Sequence, residues 1–158
     1  MHGFISYSHE DKRLFDEFRN HLKAIERECK IEFWADDRIA TGYDWTASIA
    51  DAIARADVCI LLTSAEFIAS DYIYNKEIPA IQARRKAGAL IVPVILRRCA
   101  WQMIVGVLQA VPTIDGRVKP IENWKRRNDA FDHAREQISV AIKNRFALSS
   151  SAVFGSTP

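Results

Sequence analysis

The stretch "VCILLTS" (58–64) decides the fold, because it is an uninterrupted apolar run with a β-branched residue at its start. A strand with one solvent-exposed face alternates apolar and polar residues, and this run does not alternate. We therefore predict a strand that is buried on both faces, as the central strands of a parallel sheet are.

Shorter apolar runs alternate with helical patterns on both sides of this strand. Further strands are predicted at "GFISYS" (3–8), "IEFW" (31–34), "LIVPVIL" (90–96) and, more faintly, "AVPTI" (110–114). Helices are predicted at about 11–28, 45–56, 64–87 and 131–146. In the third helical region we expect a break near Ser70 and, because Pro79 removes a hydrogen bond, either a kink or a helix that begins close to Tyr74 with Pro79 in an early turn. This alternation predicts an α/β fold: a flavodoxin-like five-stranded parallel sheet in the order 2-1-3-4-5, with helices on both faces.

Composition limits the classes of function. The chain has 158 residues, and its hydrophobic fraction of 49% is typical of a globular protein. A net charge of +2 gives no bulk attraction to nucleic acid, so we expect no direct nucleic-acid partner. Three scattered cysteines and four histidines without ligand spacing predict neither a disulfide framework nor a metal site, and they favour a reducing cytoplasm. The longest apolar run, 89–96, is shorter than the roughly 20 residues that cross a bilayer, so no membrane partner is expected.

The chain length corresponds to one domain, which we place at 1–147. The segment 148–158, with its serine-rich "SSSAVFGSTP", has the composition of a flexible tail or of a linker to a further domain. In a doubly wound sheet, ligands bind at the carboxyl ends of the strands where the strand order reverses. The loops after the strands are therefore the places to search for a site.

Five stretches in those regions resemble a bacterial TIR (Toll/interleukin-1 receptor) domain. They are "FISYSHEDK" (4–12), "FWADDRIATGYDW" (33–45), "SDYIYNKE" (70–77), "IVPVILRRCAW" (91–101) and "LQAVPTIDGRVKPIENW" (108–124). The resemblance covers about residues 3–146, and it implies the flavodoxin-like fold that the alternation of strands and helices predicts. The family contains scaffolds that only associate and enzymes that cleave NAD+ at the nicotinamide–ribose bond.

The resemblance implies a set of site residues. In the enzymes the essential residue is a glutamate on the third helix, and Glu77 occupies that position in "YNKE". Tyr7 and Ser8 are similar to first-strand positions that contact the nucleotide, although a core hydroxyl and a helix cap explain them equally well. Asp36 and Arg38 lie in the 35–44 loop, which in the family borders the cleft and binds the next protomer. Solvated loop charge is the alternative explanation for these two residues.

Two tyrosines close to Glu77 are candidates for stacking on nicotinamide or adenine. These are Tyr72 and Tyr74, and core packing explains Tyr74 at least as well, since it is in phase with Ile78. Enzymatic relatives often carry a tryptophan four residues before the glutamate, where this chain has Ile73. The identity of the stacking residue therefore stays open.

A single carboxylate can suffice for NAD+ cleavage. Glycoside hydrolysis normally uses two carboxyl groups, because the leaving oxygen must be protonated. Nicotinamide leaves as a neutral molecule and needs no acid, so the site has to stabilise only an oxocarbenium-like ribose. The chain has neither a Gly-x-Gly-x-x-Gly fingerprint nor a phosphate-binding loop, so NAD+ is expected as the substrate and no cofactor is expected.

The resemblance implies an NAD+ glycohydrolase that yields nicotinamide and ADP-ribose or a cyclised product. Its implied partners are NAD+, other TIR domains bound through the 35–44 loop, and a sensor domain in the same chain. Bacterial antiviral defence signalling is the implied context. The alternatives are a non-catalytic TIR–TIR adaptor and a nucleoside 2-deoxyribosyltransferase, whose related fold also applies a glutamate to an N-glycosidic bond. The TIR-like loops disfavour the transferase.

Overall fold

The computed structural model of the chain describes residues 1–36, 45–106 and 108–148. The strands are β1 (His2–Tyr7), β2 (Glu32–Ala35), β3 (Val58–Thr63), β4 (Leu90–Ile95), β5 (Thr113–Ile114) and β6 (Arg117–Val118). The α-helices are α1 (Lys12–Cys29), α2 (Trp45–Arg55), α3 (Ala65–Ala69), α4 (Ile78–Lys86), α5 (Gln102–Val105) and α6 (Arg127–Phe146). A π-helix, Ile73–Glu77, leads into α4, and 3-10 turns lie at His9–Asp11 and Ile121–Asn123.

Four of these strands form a parallel sheet in the order β2-β1-β3-β4, with helices on both faces. This confirms the α/β class and the predicted positions of the first four strands. β3 is buried along its whole length, as "VCILLTS" predicts. Ile60 and Leu62 pack in the apolar cluster under α1 and α6, whereas Cys59 and Leu61 pack in the cluster under α2 and α4.

The predicted fifth strand at "AVPTI" is wrong as a regular strand. Val94 of β4 forms a single parallel bridge with Val111, whose amide donates to the Pro93 carbonyl at 2.8 Å. The next residue, Pro112, has no amide hydrogen with which to continue the ladder. The chain instead turns into the two-stranded antiparallel hairpin β5-β6.

The third helical region breaks where the sequence predicts. Ser64 caps α3 by accepting a hydrogen bond from the Phe67 amide at 3.0 Å, and α3 ends at Ala69. A new helical segment then contains a widened turn, in which the Ile78 amide bonds to the Ile73 carbonyl five residues back. Pro79 follows in the first turn of α4. A regular turn would bring the proline ring against the carbonyl four residues before it, and the π-helix provides a wider alternative.

We predict that Gly3→Ala destabilises the fold by about 1–3 kcal/mol, because overpacking of a filled position costs that much. Gly3 of β1 pairs with Phe33 of β2, and a methyl group on Gly3 would lie 2.2 Å from Phe33 Cδ1. Urea unfolding measures the loss. In a Phe33→Ala background the same substitution should cost much less, and an equal cost in both backgrounds would show that the ring is not the obstacle.

Candidate active site

A cavity of about 260 Å³ opens at the carboxyl ends of β1 and β2, beside the π-helix. Its lining comprises Ile5, Tyr7, Ser8, His9, Glu10, Asp36, Ser70, Tyr72, Ile73 and Glu77. Five of the seven site residues predicted from the sequence are therefore close together. The carboxyl edge of the parallel sheet is where such a fold is expected to bind a ligand.

Glu77 is the buried carboxyl group of this cavity. It is the last residue of the π-helix, and only 7% of its surface is exposed. Burial raises its pKa from 4.5 to about 7, since a charged carboxylate is less well solvated inside the protein. Interaction with the Ser6 hydroxyl lowers the pKa, and the negative charge of Asp36 raises it. Glu77 therefore changes its charge close to neutral pH.

Asp36 and Tyr7 form one wall of the cavity together. The Tyr7 hydroxyl donates to the backbone carbonyl of Asp36 at 3.1 Å, and the Tyr7 ring stacks on Phe15 with ring centroids 4.2 Å apart. The Asp36 carboxylate lies 3.6 Å from His9 Nε2. Tyr7 is thus a core residue whose hydroxyl fixes the end of β2, and it also faces the cavity.

Two serines cap the turns that enclose the cavity. Ser8 Oγ accepts a hydrogen bond from the Glu10 amide at 3.3 Å, which starts the 3-10 turn. Ser70 Oγ accepts one from the Ile73 amide at 3.3 Å, just before the π-helix. The helix-cap explanation of Ser8 is therefore correct, although the residue also lines the cavity.

Two predicted site residues, Arg38 and Tyr74, remain to be placed. Arg38, with most of the 35–44 loop, lies outside the residues that the structure describes. Tyr74 is 51% exposed and is not among the residues that line the cavity. Its expected packing in the core is wrong, because the side chain is exposed; the π-helix lies between Tyr74 and α4, so the α-helical spacing that placed Tyr74 on the core face does not hold there. Of the two tyrosines proposed for stacking, Tyr72 is the one that lines the cavity with Glu77.

Sequence reasoning missed Ser6, His9 and Ser70. Ser6 had a detectable signal, because it is a hydroxyl residue among the apolar and aromatic residues Phe4, Ile5 and Tyr7 of β1. Strand alternation places its side chain opposite Ile5 and Tyr7, on the face that the third helical region covers. His9 and Ser70 reach the cavity through turns, whose geometry a linear pattern does not specify.

A second cluster of polar side chains connects the segments that follow β1, β3 and β4 by hydrogen bonds. Arg97, after β4, donates to Asp11 Oδ1 at 2.8 Å and to Glu66 Oε2 at 3.2 Å. Ser64, after β3, donates to the other oxygen of Asp11. Asp11 is fully buried, and burial raises its pKa although Ser64 and Arg97 stabilise its charge. The loops after β3 and β4 therefore meet in this structural cluster instead of lining the Glu77 cavity.

The described residues contain no group of three or more histidine, cysteine, aspartate or glutamate side chains placed to hold a metal ion. Within the same ranges, every helix is too short or too polar to cross a membrane. The cavity offers a buried carboxyl group of near-neutral pKa, with hydroxyl, imidazole and aromatic groups around it. Such a site can stabilise positive charge that develops on a bound molecule.

We predict that Glu77→Gln stabilises the fold increasingly as the pH rises. Between pH 4.5 and about 7 the unfolded chain has released the Glu77 proton while the folded protein retains it, so wild-type stability falls across this window. A neutral amide avoids this penalty, and the advantage of the variant should grow by about 2–3 kcal/mol between about pH 5 and about pH 8. Urea unfolding of both proteins at each pH tests this, and a difference that is constant with pH would contradict the burial of an ionisable Glu77.

Comparisons with known proteins agree with this architecture. The family model described as "TIR domain" matches residues 4–138. The protein named "Uncharacterized protein y4lF" from Sinorhizobium fredii (strain NBRC 101917 / NGR234) is 43% identical over 130 residues, which cover 81% of this chain. The match covers 39% of that relative, so the chain spans well under half of its length. The family match extends over most of the sheet and over the cavity that holds Glu77, and the chain belongs to the TIR domain family.

Proposed function

We propose that this TIR domain is an NAD+ glycohydrolase whose catalytic residue is Glu77. The proposal rests on the burial of this one carboxyl group in a cavity at the carboxyl edge of the sheet. A solvated surface glutamate would keep an ordinary pKa, whereas the pKa of Glu77 is raised to about 7. Perturbed titratable groups in a cleft are typical of functional sites.

The reaction suits a single carboxylate. The bond between ribose C1′ and the nicotinamide nitrogen breaks, and its electron pair neutralises the pyridinium, so nicotinamide leaves without a proton. Positive charge develops on the ribose, and the Glu77 carboxylate stabilises it in a cavity of low dielectric constant. Water then attacks C1′ and releases a proton, which gives ADP-ribose. Attack by a nitrogen of the adenine ring in place of water would give a cyclic product.

The size of the cavity supports activation by self-assembly. Ligand pockets typically have volumes of about 300–1,000 Å³, and this cavity has about 260 Å³. It can hold the nicotinamide–ribose end of NAD+, while the adenosine end has to lie outside it. Asp36, the last described residue before the remainder of the 35–44 loop, lines the cavity. We propose that the loop of one protomer completes the cleft of the next.

The alternative is an adaptor that only associates with other TIR domains. The observation that favours it is Ile73, which stands where enzymatic relatives often carry a tryptophan. In either case the domain is proposed to act within a longer protein, since the relative is more than twice as long as the matched segment. A fused sensor domain and a role in cytoplasmic antiviral defence signalling are the corresponding proposals.

Nicotinamide release from NAD+, followed by chromatography at several protein concentrations and with a clustering agent, tests the activity. Release should rise more steeply than protein concentration, and Glu77→Gln should reduce it by about 10²–10³-fold or more, as loss of a preorganised charge does. Glu136→Gln removes an exposed carboxylate from α6 and is the matched control. No release from protein that light scattering shows to be assembled would favour the adaptor.

The pH dependence of kcat/KM gives a second prediction. The carboxylate is the reactive form, and burial raises the pKa of Glu77 to about 7. The rate should therefore rise about tenfold per pH unit below that value and level off above it. A rate that is flat between about pH 5.5 and about pH 8 would show that the ionisation of Glu77 does not control the reaction.

A further inference from the structure

We propose that Ser6 is a positioning residue, whose hydroxyl donates a hydrogen bond to the ionised Glu77 carboxylate and holds it in its reactive orientation. As a statement about catalysis, this inference rests on the proposed function. As a statement about the Glu77 carboxyl group, it can be tested without any activity.

The fold places Ser6 under the helical segment that carries Glu77. Ser6 pairs with Leu61 of β3, and it lies two residues after Phe4, so both side chains point to the same face of the sheet. Phe4 and Leu61 pack in one apolar cluster with Ile73 from the π-helix that ends at Glu77. The Ser6 hydroxyl therefore faces the turn in which Glu77 lies.

A serine at position 6 is expected to lower the stability of the fold. It is 1% exposed, and within the described ranges its hydroxyl has no hydrogen bond of normal geometry. A buried hydroxyl without a partner loses its hydrogen bonds to water and gains none in return. Even so, it lies close enough to the Glu77 carboxyl to lower the pKa of that group, against the effect of burial. A hydrogen bond that tightens when Glu77 ionises accounts for both observations, since bonds to charged acceptors are shorter and stronger.

Several other polar groups of the described cavity lining carry negative charge or have partners of their own. Asp36 is an anion and raises the pKa of Glu77, while His9 faces Asp36 at 3.6 Å. Glu10 is a further acid in the cavity lining. The Tyr7 hydroxyl bonds to the Asp36 carbonyl. The hydroxyl oxygens of Ser8 and Ser70 each accept a hydrogen bond from a backbone amide, whereas Ser6 is the serine whose hydroxyl lowers the pKa of Glu77.

Ser139 provides a matched control. It is 3% exposed on α6, and its hydroxyl likewise has no normal hydrogen bond within the described residues. It lies close to Cys29 in the cluster on the opposite face of the sheet from Ser6. Ser6→Ala and Ser139→Ala each remove one buried, poorly bonded hydroxyl, and only the first removes a neighbour of Glu77.

The experiment compares the wild type with both alanine variants in three measurements. Urea unfolding should show that neither substitution lowers stability appreciably, because each removes a poorly bonded polar group. The titration of the Glu77 carboxyl, followed by carbon-13 NMR and assigned with Glu77→Gln, should shift upward by about one pH unit in Ser6→Ala, since a donor to the charged form is lost. The pH profile of kcat/KM should move by the same amount, so that activity falls about tenfold below neutral pH and recovers at high pH.

The possible outcomes separate the two proposals. An unchanged Glu77 titration in Ser6→Ala overturns the inference, whatever happens to activity. A shift of equal size in Ser139→Ala also overturns it, because the effect would then be general to the fold. A shift confined to Ser6→Ala supports the contact even if no variant releases nicotinamide, and in that case the proposed function fails alone.

Discussion

The pairing of β1 with β3 at the centre of the sheet is the constraint on which the rest of the structure depends. β3 is buried on both faces, and β1 lies between it and β2, so helices must cover both sides. Parallel strands have their carboxyl ends at one edge of the sheet. Tyr7 ends β1 and Ser8 follows it there, and Asp36 follows β2 at the same edge. The chain then returns over this edge as the π-helix, which places Glu77 among them. The proposed catalytic carboxyl group is thereby held in place by packed strands and capped turns.

The burial of Glu77 links stability to function. The sheet and the π-helix remove water from the carboxyl group, which raises its pKa to about 7 and makes its charged form unfavourable for folding. The same loss of solvent strengthens its attraction for a developing positive charge. The buried hydroxyl of Ser6 moderates the penalty without a normal hydrogen bond of its own in the described structure. Glu77 and Ser6, which both reduce the stability of the fold, therefore lie together at the proposed reaction centre. Proteins commonly retain such unfavourable residues at functional sites.

The sequence predicted the parts of this arrangement that depend on periodicity. "VCILLTS" and the apolar runs beside it specify four parallel strands, and the family resemblance identified Glu77 with four of its cavity neighbours. The apolar pattern at 110–114 did not show that the fifth strand would be reduced to one bridge. Pro112 has no amide hydrogen, and so the ladder ends after Val111 although the residues around it are apolar. Tyr74 was misplaced because the phase of a helix cannot be counted through a π-turn whose presence is unknown. Ser6 was overlooked because its neighbour Glu77 is distant in sequence and comes close only when the third helical region packs on the sheet.

The central claim is that the nicotinamide–ribose bond of NAD+ lies against Glu77. The most direct test is an experimental structure of assembled Glu77→Gln protein with NAD+ bound. The account predicts that ribose C1′ lies beside the residue 77 side chain, with nicotinamide in the cavity near Tyr72 and adenosine outside it against the 35–44 loop of a neighbouring protomer. NAD+ bound elsewhere on the domain, or absent from a well-ordered assembly at saturating concentration, would contradict the assignment of this cavity as an active site.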